Sequence, residues 1–538
     1  MTAKVYLVGA GPGDCGLMTL RGLELLKRAD VVIYDHLVST DLLKFAKSDS
    51  LAIDAGKSGS NHTLSQDEIN SLLISHGKSG KTVVRLKGGD PYIFGRGAEE
   101  AMELQKEGIP FEVIPGVSSA IAAANAAGIP LTHRDLTSQV VIMTGHEKPG
   151  KARSAHHWPS LAKMGALVVV MGSKNLPYLA ERLIEAGKDP KTPAAAIQWG
   201  FTYKQKVAVA PLSDIALRAQ TLGLGPPCLV VVGEVVTLRE KLDWFEKRPL
   251  FGRRILITRT RTQASRLSAL LKEQGAEVIE KPVIQIEEIT SNPDLAWAIE
   301  NVSDYQWLIF TSPNGATIFL NALFASHLDS RALNGVKIAV IGAATADSLK
   351  PFGLKPDLTP KKFISEGLLE AFKTHLAEQL ASKTVPPGRC LVARAQVARD
   401  ALITGLTDLG FEPAVLPLYR TTPAAWDKSS TRSLDSSCDS SWDSSLDSFG
   451  QSRDAQPALN ALLRNPPDLT TLTSASTAQG LASIIPQRSR SRFPVVSIGP
   501  ITSQAAREHG FTVACEAQNA TIEEMLKAIV GFLARNSQ

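Results

Sequence analysis

Three turns rich in glycine and small polar residues follow apolar runs in the first 130 residues, and their composition suits a ligand lying against the main chain. The first, VYLVGAGPGDCG (5–16), places Gly9, Gly11, Pro12 and Gly13 after a short apolar run, and glycine permits close approach to backbone. The second, VVRLKGGDPYIFGRGAEE (83–100), carries Gly88, Gly89 and Asp90, then Gly95, Arg96 and Gly97. The third runs Ile114-Pro115-Gly116-Val117-Ser118-Ser119 into a small-residue helix expected at Ala120–Ala127. Together they predict a backbone-lined pocket for a compact zwitterionic molecule, with Asp90 available to an ammonium or hydroxyl group. The first turn also imitates a dinucleotide fingerprint, because Asp35 closes the strand VVIYD further along. The imitation fails: the third fingerprint glycine is replaced by Asp14, an anion where pyrophosphate must sit, and Pro12 removes an N–H donor.

Elements able to hold such turns are visible throughout. Short β-branched runs at Val5–Val8, Val31–Tyr34, Val83–Leu86, Val140–Met143, Leu167–Met171 and Leu229–Val232 alternate with helix-like stretches, which predicts an α/β fold with mainly parallel, buried strands. At 538 residues, with 44% hydrophobic and 21% charged residues, the chain has the bulk of an ordinary multidomain globular protein. A net charge of +5, spread over both halves, is too weak to suggest nucleic acid. Five cysteines (Cys15, Cys228, Cys390, Cys438, Cys515) show no metal-ligand or disulfide spacing, so no metal is expected and a reducing cytoplasm is. The first residues lack a basic region followed by a long apolar one, and no apolar run reaches the ~20 residues of a membrane helix. Neither export nor a membrane is expected.

The cadence restarts at Ile255–Thr258, placing a main boundary near Leu250–Arg253. Beyond it the chain repeats itself: IFTSPNGATIFLNAL (309–323) returns as LTSASTAQGLA (472–482), and AVIGAATADSLKPFGL (339–354) as VSIGPITSQAAREHGF (496–511). Two similar α/β lobes are expected, a cleft between lobes being a common ligand site; duplication without a site is the alternative. Residues 429–453 hold 11 serines in 25, with LDSS, CDSS, WDSS and LDSF in succession, and read as an inserted loop rather than a docking helix.

As whole strings, the first-half motifs closely resemble the S-adenosylmethionine-dependent uroporphyrinogen-III C-methyltransferases of the tetrapyrrole methylase superfamily. VGAGPGD, VVIYDHLVS, VVRLKGGDPYIFGRG, IPGVSSA and GIPLTHRD occur in that family's order, followed by VVVMG (168–172) and VVGEVVTLREKLDWF (231–245). The resemblance covers residues 1–247, implies two α/β subdomains (about 1–133 and 134–247) with the cofactor between them, and implies a homodimer. It places S-adenosylmethionine contacts on Pro12, Gly88, Gly89, Asp90, Ile93, Ser118, Ser119, Met171 and Gly200, the serine pair standing where the family commonly has Thr-Ala. It places a proton acceptor on Asp35 and a donor on Lys57; a turn-capping role for Asp35 and carboxylate pairing for Lys57 stay open. Arg85, Lys87, Arg96 and Arg134 are candidates to meet the carboxylates of a porphyrinogen through charge-assisted bonds, with ordinary ion pairs as the alternative.

After a linker at 248–252, residues 253–538 resemble uroporphyrinogen-III synthases through RRILITRTRTQASRLSALLKEQGAEVIEKPVIQI (253–286), the repeats, FISEGLLEAF (363–372) and LYRTTP (418–423). The resemblance implies one lobe from 253–287 plus 420–538 and another from 288–419. It implies an active-site role for Tyr419, while Arg259, Ser474 and Thr502 are candidate carboxylate partners that turn or cap roles would equally explain. The product implied for the second half is the substrate implied for the first. A bifunctional enzyme follows: hydroxymethylbilane to uroporphyrinogen III, then methylation at C2 and C7 to precorrin-2 for siroheme or cobalamin. The alternative is an active methylase whose second half only binds tetrapyrrole. No segment resembles the dehydrogenase/ferrochelatase module, so later siroheme steps are expected to need another protein.

Overall fold

The computed structural model describes residues 4–56, 64–146, 156–259, 261–381, 387–397, 400–424 and 457–536. The Ser/Asp repeat at 429–453 and Lys57 lie outside these. The chain forms two compact units, the first ending its main body at Arg254 and the second built mainly from Ile279–Ala425 and Pro466–Gln538.

The first unit holds two five-stranded sheets. In one, β1 (Val5–Gly9), β2 (Val31–Tyr34), β3 (Leu51–Asp54), β4 (Val83–Lys87) and β5 (Phe111–Ile114) lie in the order β3-β2-β4-β1-β5. Every pairing in it is parallel. Apolar side chains on both faces of β1, β2 and β4 enter two separate cores, Leu7, Ile33 and Val83 on one side and Val8, Val32 and Val84 on the other. The second sheet holds β6 (Val141–Thr144), β7 (Leu167–Val170), β8 (Pro193–Gln198), β9 (Lys206–Pro211) and β10 (Cys228–Val232) in the order β6-β7-β10-β8-β9.

Here the expectation of mainly parallel strands needs correction: only β6–β7 is parallel, while β10 runs antiparallel to β7 and β8, and β8 to β9. The continuous apolar run of β10 arises because Val230 and Val232 enter one core and Leu229 and Val231 the opposite one. Such a run reports burial on two faces, which parallel sheets usually impose but do not monopolise.

The second unit repeats a pattern. Its terminal lobe holds β11 (Arg254–Ile257), β12 (Glu277–Glu280), β18 (Leu469–Leu472), β19 (Val495–Ser497) and β20 (Val513–Glu516), ordered β12-β11-β18-β19-β20. Its middle lobe holds β13 (Ile284–Glu288), β14 (Trp307–Phe310), β15 (Lys337–Val340), β16 (Arg389–Ala395) and β17 (Glu412–Pro423), ordered β13-β17-β16-β14-β15. The repeated strings become strand, helix, strand, helix in each lobe, with β14–β15 and β18–β19 both parallel. The long strand β17 continues to Pro423 against β13, so the lobe boundaries expected at 287/288 and 419/420 fall inside paired strands.

Candidate functional site

The three glycine turns of the first unit meet at the ends of β1, β4 and β5. Gly11 and Gly89 exchange backbone hydrogen bonds, Gly89 N–H to Gly11 carbonyl at 2.8 Å and Gly11 N–H to Gly89 carbonyl at 3.2 Å. A Cβ on Gly9 would stand 2.5 Å from Gly116 Cα, and one on Gly116 only 2.2 Å from the Gly89 carbonyl oxygen. Three backbones therefore touch where any side chain would part them. Asp90 ties the turns: one carboxylate oxygen accepts the N–H of Tyr92 (2.8 Å) and Ile93 (3.2 Å), the other that of Gly116 (3.0 Å). In the structure it fixes loop backbone, and as a half-buried carboxylate it keeps further acceptor capacity.

The cofactor candidates fall around this junction. Gly88 and Gly89 follow β4 directly, and Pro12 is half-buried in the turn after β1. Ser118 caps the helix Ser119–Ala126, its hydroxyl accepting from Ala120 N–H at 3.3 Å, while Ser119 is exposed. Ile93 is 46% exposed between the similarly open Tyr92 and Phe94, an apolar cover beside the glycines. From the second sheet, Gly200 presses on the same helix, where its missing Cβ would meet Ala123 Cβ at 2.3 Å. Met171 stands exposed at the end of β7 with φ 54°. Phe94, Arg96, Met171, Trp199 and Phe201 all take left-handed backbone, and such strained non-glycine residues concentrate at functional sites. At this junction the glycine backbones pack on one another and on the helix with no room for side chains.

The charged candidates sort differently. Asp35 follows β2, half-buried, with its carboxylate bound by the Arg85 guanidinium. Arg85 and Lys87 are only 1% and 2% exposed, and both face fully buried Glu100, Arg85 Nε at 3.2 Å and Lys87 Nζ at 2.7 Å from its Oε1. Burial, then the nearby Arg85 charge, lowers the Lys87 ammonium's affinity for its proton. As placed, both cations are buried in ion pairs, Arg85 with Asp35 and Glu100 and Lys87 with Glu100, which is the alternative that stood beside a substrate role. Glu100 was not singled out in the sequence, although two cations spaced i, i+2 in an apolar strand share a face and require one counter-ion. Arg96 is exposed in a two-point pair with Glu99, at 3.0 and 2.7 Å. Arg134 is exposed.

In the second unit, Tyr419 lies in β17 opposite Glu288, 6% exposed. Its hydroxyl is 2.8 Å from Ser312 Oγ. Burial raises the phenol's pKa, partly offset by hydrogen bonds to Ser312 and Asn314. Ser312 also caps the helix Pro313–Ala325, accepting from Gly315 N–H at 3.0 Å. Its counterpart Ser474 caps the helix Ala475–Ile484 in a reciprocal box with Thr477. Thr502 is buried in the first turn of the helix Pro500–Glu508. Arg259 follows β11, half-buried, its guanidinium's pKa lowered by burial. Ser474, Thr502 and Arg259 thus belong to the terminal-lobe sheet and Tyr419 to the middle-lobe sheet. Ser312 and Asn314, the partners of Tyr419, were legible only as part of the repeat.

Among the described residues, no group of three or more His, Cys, Asp or Glu could hold a metal, and no helix is long and apolar enough to cross a membrane. The sequence model of the Tetrapyrrole (Corrin/Porphyrin) Methylases matches residues 4–216, and that of Uroporphyrinogen-III synthase HemD matches residues 265–527. The porphyrin biosynthesis protein HemD of Ruminiclostridium josui is 36% identical over 98% of this chain and 97% of its own length. A uroporphyrinogen-III C-methyltransferase of Bacillus subtilis (strain 168) is 46% identical over 45% of this chain and 95% of its own. The uroporphyrin-III C-methyl transferase of Thermus thermophilus, solved with S-adenyl homocysteine, is 38% identical, covering 44% of this chain and 100% of that one with a TM-score of 0.39. With both matches in series and a relative similar from end to end, the chain belongs to the family in which a tetrapyrrole methylase is joined to a uroporphyrinogen-III synthase.

Proposed function

We propose that the chain catalyses two consecutive steps. The second unit closes linear hydroxymethylbilane to uroporphyrinogen III, inverting the last ring and releasing water. The first methylates that product at C2 and C7 to give precorrin-2, the branch compound toward siroheme and cobalamin. The observation that carries this reading is the presence of both family matches on one chain, in the arrangement of a relative similar over 98% of its length. One reaction's product is the other's substrate.

S-adenosylmethionine supplies a methyl group already activated on a sulfonium. The chain's own task is alignment and proton management. The glycine floor at Gly9, Gly89 and Gly116 and the turn carrying Gly200 hold the ligand; Ile93 and Met171 cover its apolar parts. Asp35, fixed by Arg85 beside the second glycine loop, accepts the proton lost from the methylated ring, and Lys57 is carried over as donor. In the second unit the buried Tyr419 hydroxyl, backed by Ser312, assists departure of the bilane hydroxyl, while turns such as those at Ser474 and Thr502 orient its carboxylates. Two copies assemble through the methylase half, in the cytoplasm.

The test supplies hydroxymethylbilane anaerobically, with and without S-adenosylmethionine, and identifies products by chromatography and mass spectrometry. Type-III uroporphyrinogen without the methyl donor and a dimethylated product with it are expected. Type-I material alone, the product of spontaneous closure, would remove the synthase assignment and leave the methylase to be judged on its own.

A further inference from the structure

The stretch Arg239–Glu246 plays no part in the reactions above, yet it fastens two pieces of the methyl-donor site. The turn from Trp199 to Gln205 carries Gly200, and Trp199 and Phe201 on either side hold left-handed backbone at φ 51° and 66°. Such a conformation persists only where the surroundings over-determine it. Here the surroundings are Gln205, 4% exposed. Its Oε1 accepts the Phe201 N–H at 3.0 Å, and its Nε2 donates to Glu246 Oε1 at 2.8 Å and to the Ala126 carbonyl at 3.3 Å. Every partner of the amide is a pure donor or pure acceptor, so its orientation is unambiguous.

Glu246 passes the grip onward. Its other oxygen accepts from Arg239 Nη2 at 2.7 Å, while Arg239 Nη1 donates to the Ala127 carbonyl at 2.7 Å. Trp244 Nε1 donates to the Asn125 carbonyl at 3.2 Å. Three successive carbonyls at the C-terminal end of the helix Ser119–Ala126 are thus claimed by Gln205 and this strap, the Asn125 carbonyl also accepting from Gly128 N–H at 2.9 Å, and the last carbonyls of a helix lack an in-helix partner four residues on. The strap passes close because Gly128, at φ 69°, has no side chain; a Cβ there would stand 2.6 Å from the Leu242 carbonyl carbon. Phe201 packs its ring on Phe245 and Trp244, with centroids 5.0 and 6.1 Å apart. The helix so held begins at Ser118 and Ser119, against Gly89, and carries Ala123, against Gly200.

We infer that Glu246 and Arg239 are positioning residues for the methyl donor: they hold the Gly200 turn through Gln205, and the Ser118–Ser119 helix through its terminal carbonyls, in the arrangement that receives the ligand. The inference rests on reading this junction as the S-adenosylmethionine site. In the full-length chain, Glu246→Ala weakens S-adenosylhomocysteine binding about tenfold by calorimetry. It raises KM for S-adenosylmethionine by a similar factor, with kcat at saturation within about twofold. Glu246→Gln, which retains an acceptor for the Gln205 amide, restores most of the affinity. Glu246→Asp, which keeps the charge for Arg239 but withdraws from Gln205, gives a partial loss and serves should the alanine variant fold poorly. Wild-type affinity in both the alanine and aspartate variants, or a glutamine variant no better than alanine, overturns the inference alone. A wild-type chain that fails to bind S-adenosylhomocysteine overturns the reading of the site and this inference with it.

Discussion

The candidate sites of the two units are assembled by opposite means. In the first, Gly9, Gly89 and Gly116 bring three backbones into contact, and the buried charges beneath them are paired among Asp35, Arg85, Lys87 and Glu100. In the second, hydroxyl groups do the work, as Ser312 and Ser474 cap equivalent helices in a duplicated lobe. Backbone contact tolerates no substitution, because a Cβ has no alternative rotamer. A capping hydroxyl tolerates several, because Ser, Thr, Asp and Asn all accept the same N–H. A site of the first kind is legible as a string of glycines and one of the second kind is not.

The sharpest break in that comparison lies at Glu100. Replacing it with leucine leaves Lys87 buried without its ion-pair partner and Arg85 with Asp35 alone, and losing one member of a buried ionic set costs about 3–5 kcal/mol. Chemical denaturation should show a loss of that size in the first unit's transition. The pH dependence sharpens it further. Lys87 holds its proton less tightly in the folded protein than its ordinary 10.5, through burial and the neighbouring Arg85, so the unfolded chain binds more protons over the window ending at 10.5. Stability attributable to Lys87 therefore rises as pH climbs through that window. Lys87→Met should flatten the rise on the approach to pH 10.5, measured by urea titration.

Next in size is the glycine contact itself. Gly116→Ala forces the Gly89 carbonyl away from a Cβ that would sit 2.2 Å from it. Overpacking of this kind costs roughly 1–3 kcal/mol. A displacement near 1 Å at a reacting site lowers rate about 100-fold. Methyl transfer should fall at least that far while the second unit still closes hydroxymethylbilane; equal loss of both reactions would show the units to be less separate than the comparison requires.

These examples mark what the sequence made readable. The α/β class, the three glycine turns and the duplicated lobes were legible because each leaves a local string: glycine where backbones touch, and repeated TS and IG turns at helix starts. The direction of β10 was not, since Leu229–Val232 is apolar on both faces whichever way its neighbours run. The fate of Arg85 and Lys87 was not either, because a cation bound for a substrate and one bound for Glu100 are spelled alike; only the helix Gly97–Lys106, which sets Glu100 against β4, tells them apart. Asp90 likewise reads as a ligand group, and its added work of holding the amides of Tyr92, Ile93 and Gly116 is visible only in the structure.

Within the second unit the paired serines give a smaller, cleaner test. Ser312→Ala and Ser474→Ala each lose a helix cap, costing about 1 kcal/mol apiece. Only Ser312 also contacts the Tyr419 hydroxyl. Removing it takes away a hydrogen bond that lowers the phenol's pKa, so tyrosinate absorbance should titrate at higher pH in Ser312→Ala than in wild type and stay put in Ser474→Ala. If Tyr419 assists ring closure, the first variant should also slow it well beyond the second. Equal slowing would place the essential contact on the helix starts rather than on the tyrosine.

The smallest expected effect on stability belongs to Arg96. Its guanidinium meets Glu99 at two points, but both side chains are 56% exposed, and water and salt screen such surface pairs to about 0–1 kcal/mol. Arg96→Ala should therefore leave the thermal midpoint nearly unchanged. That makes it the informative cation of the first unit, for removing Arg85 or Lys87 also disturbs the buried pairs with Asp35 and Glu100. If Arg96 meets a porphyrinogen carboxylate, KM for uroporphyrinogen III rises about tenfold or more in Arg96→Ala, as expected for losing a charge-assisted hydrogen bond, while S-adenosylhomocysteine binds as before. An unchanged KM would leave the exposed pair a surface ornament and return the search for the carboxylate partner to Arg134.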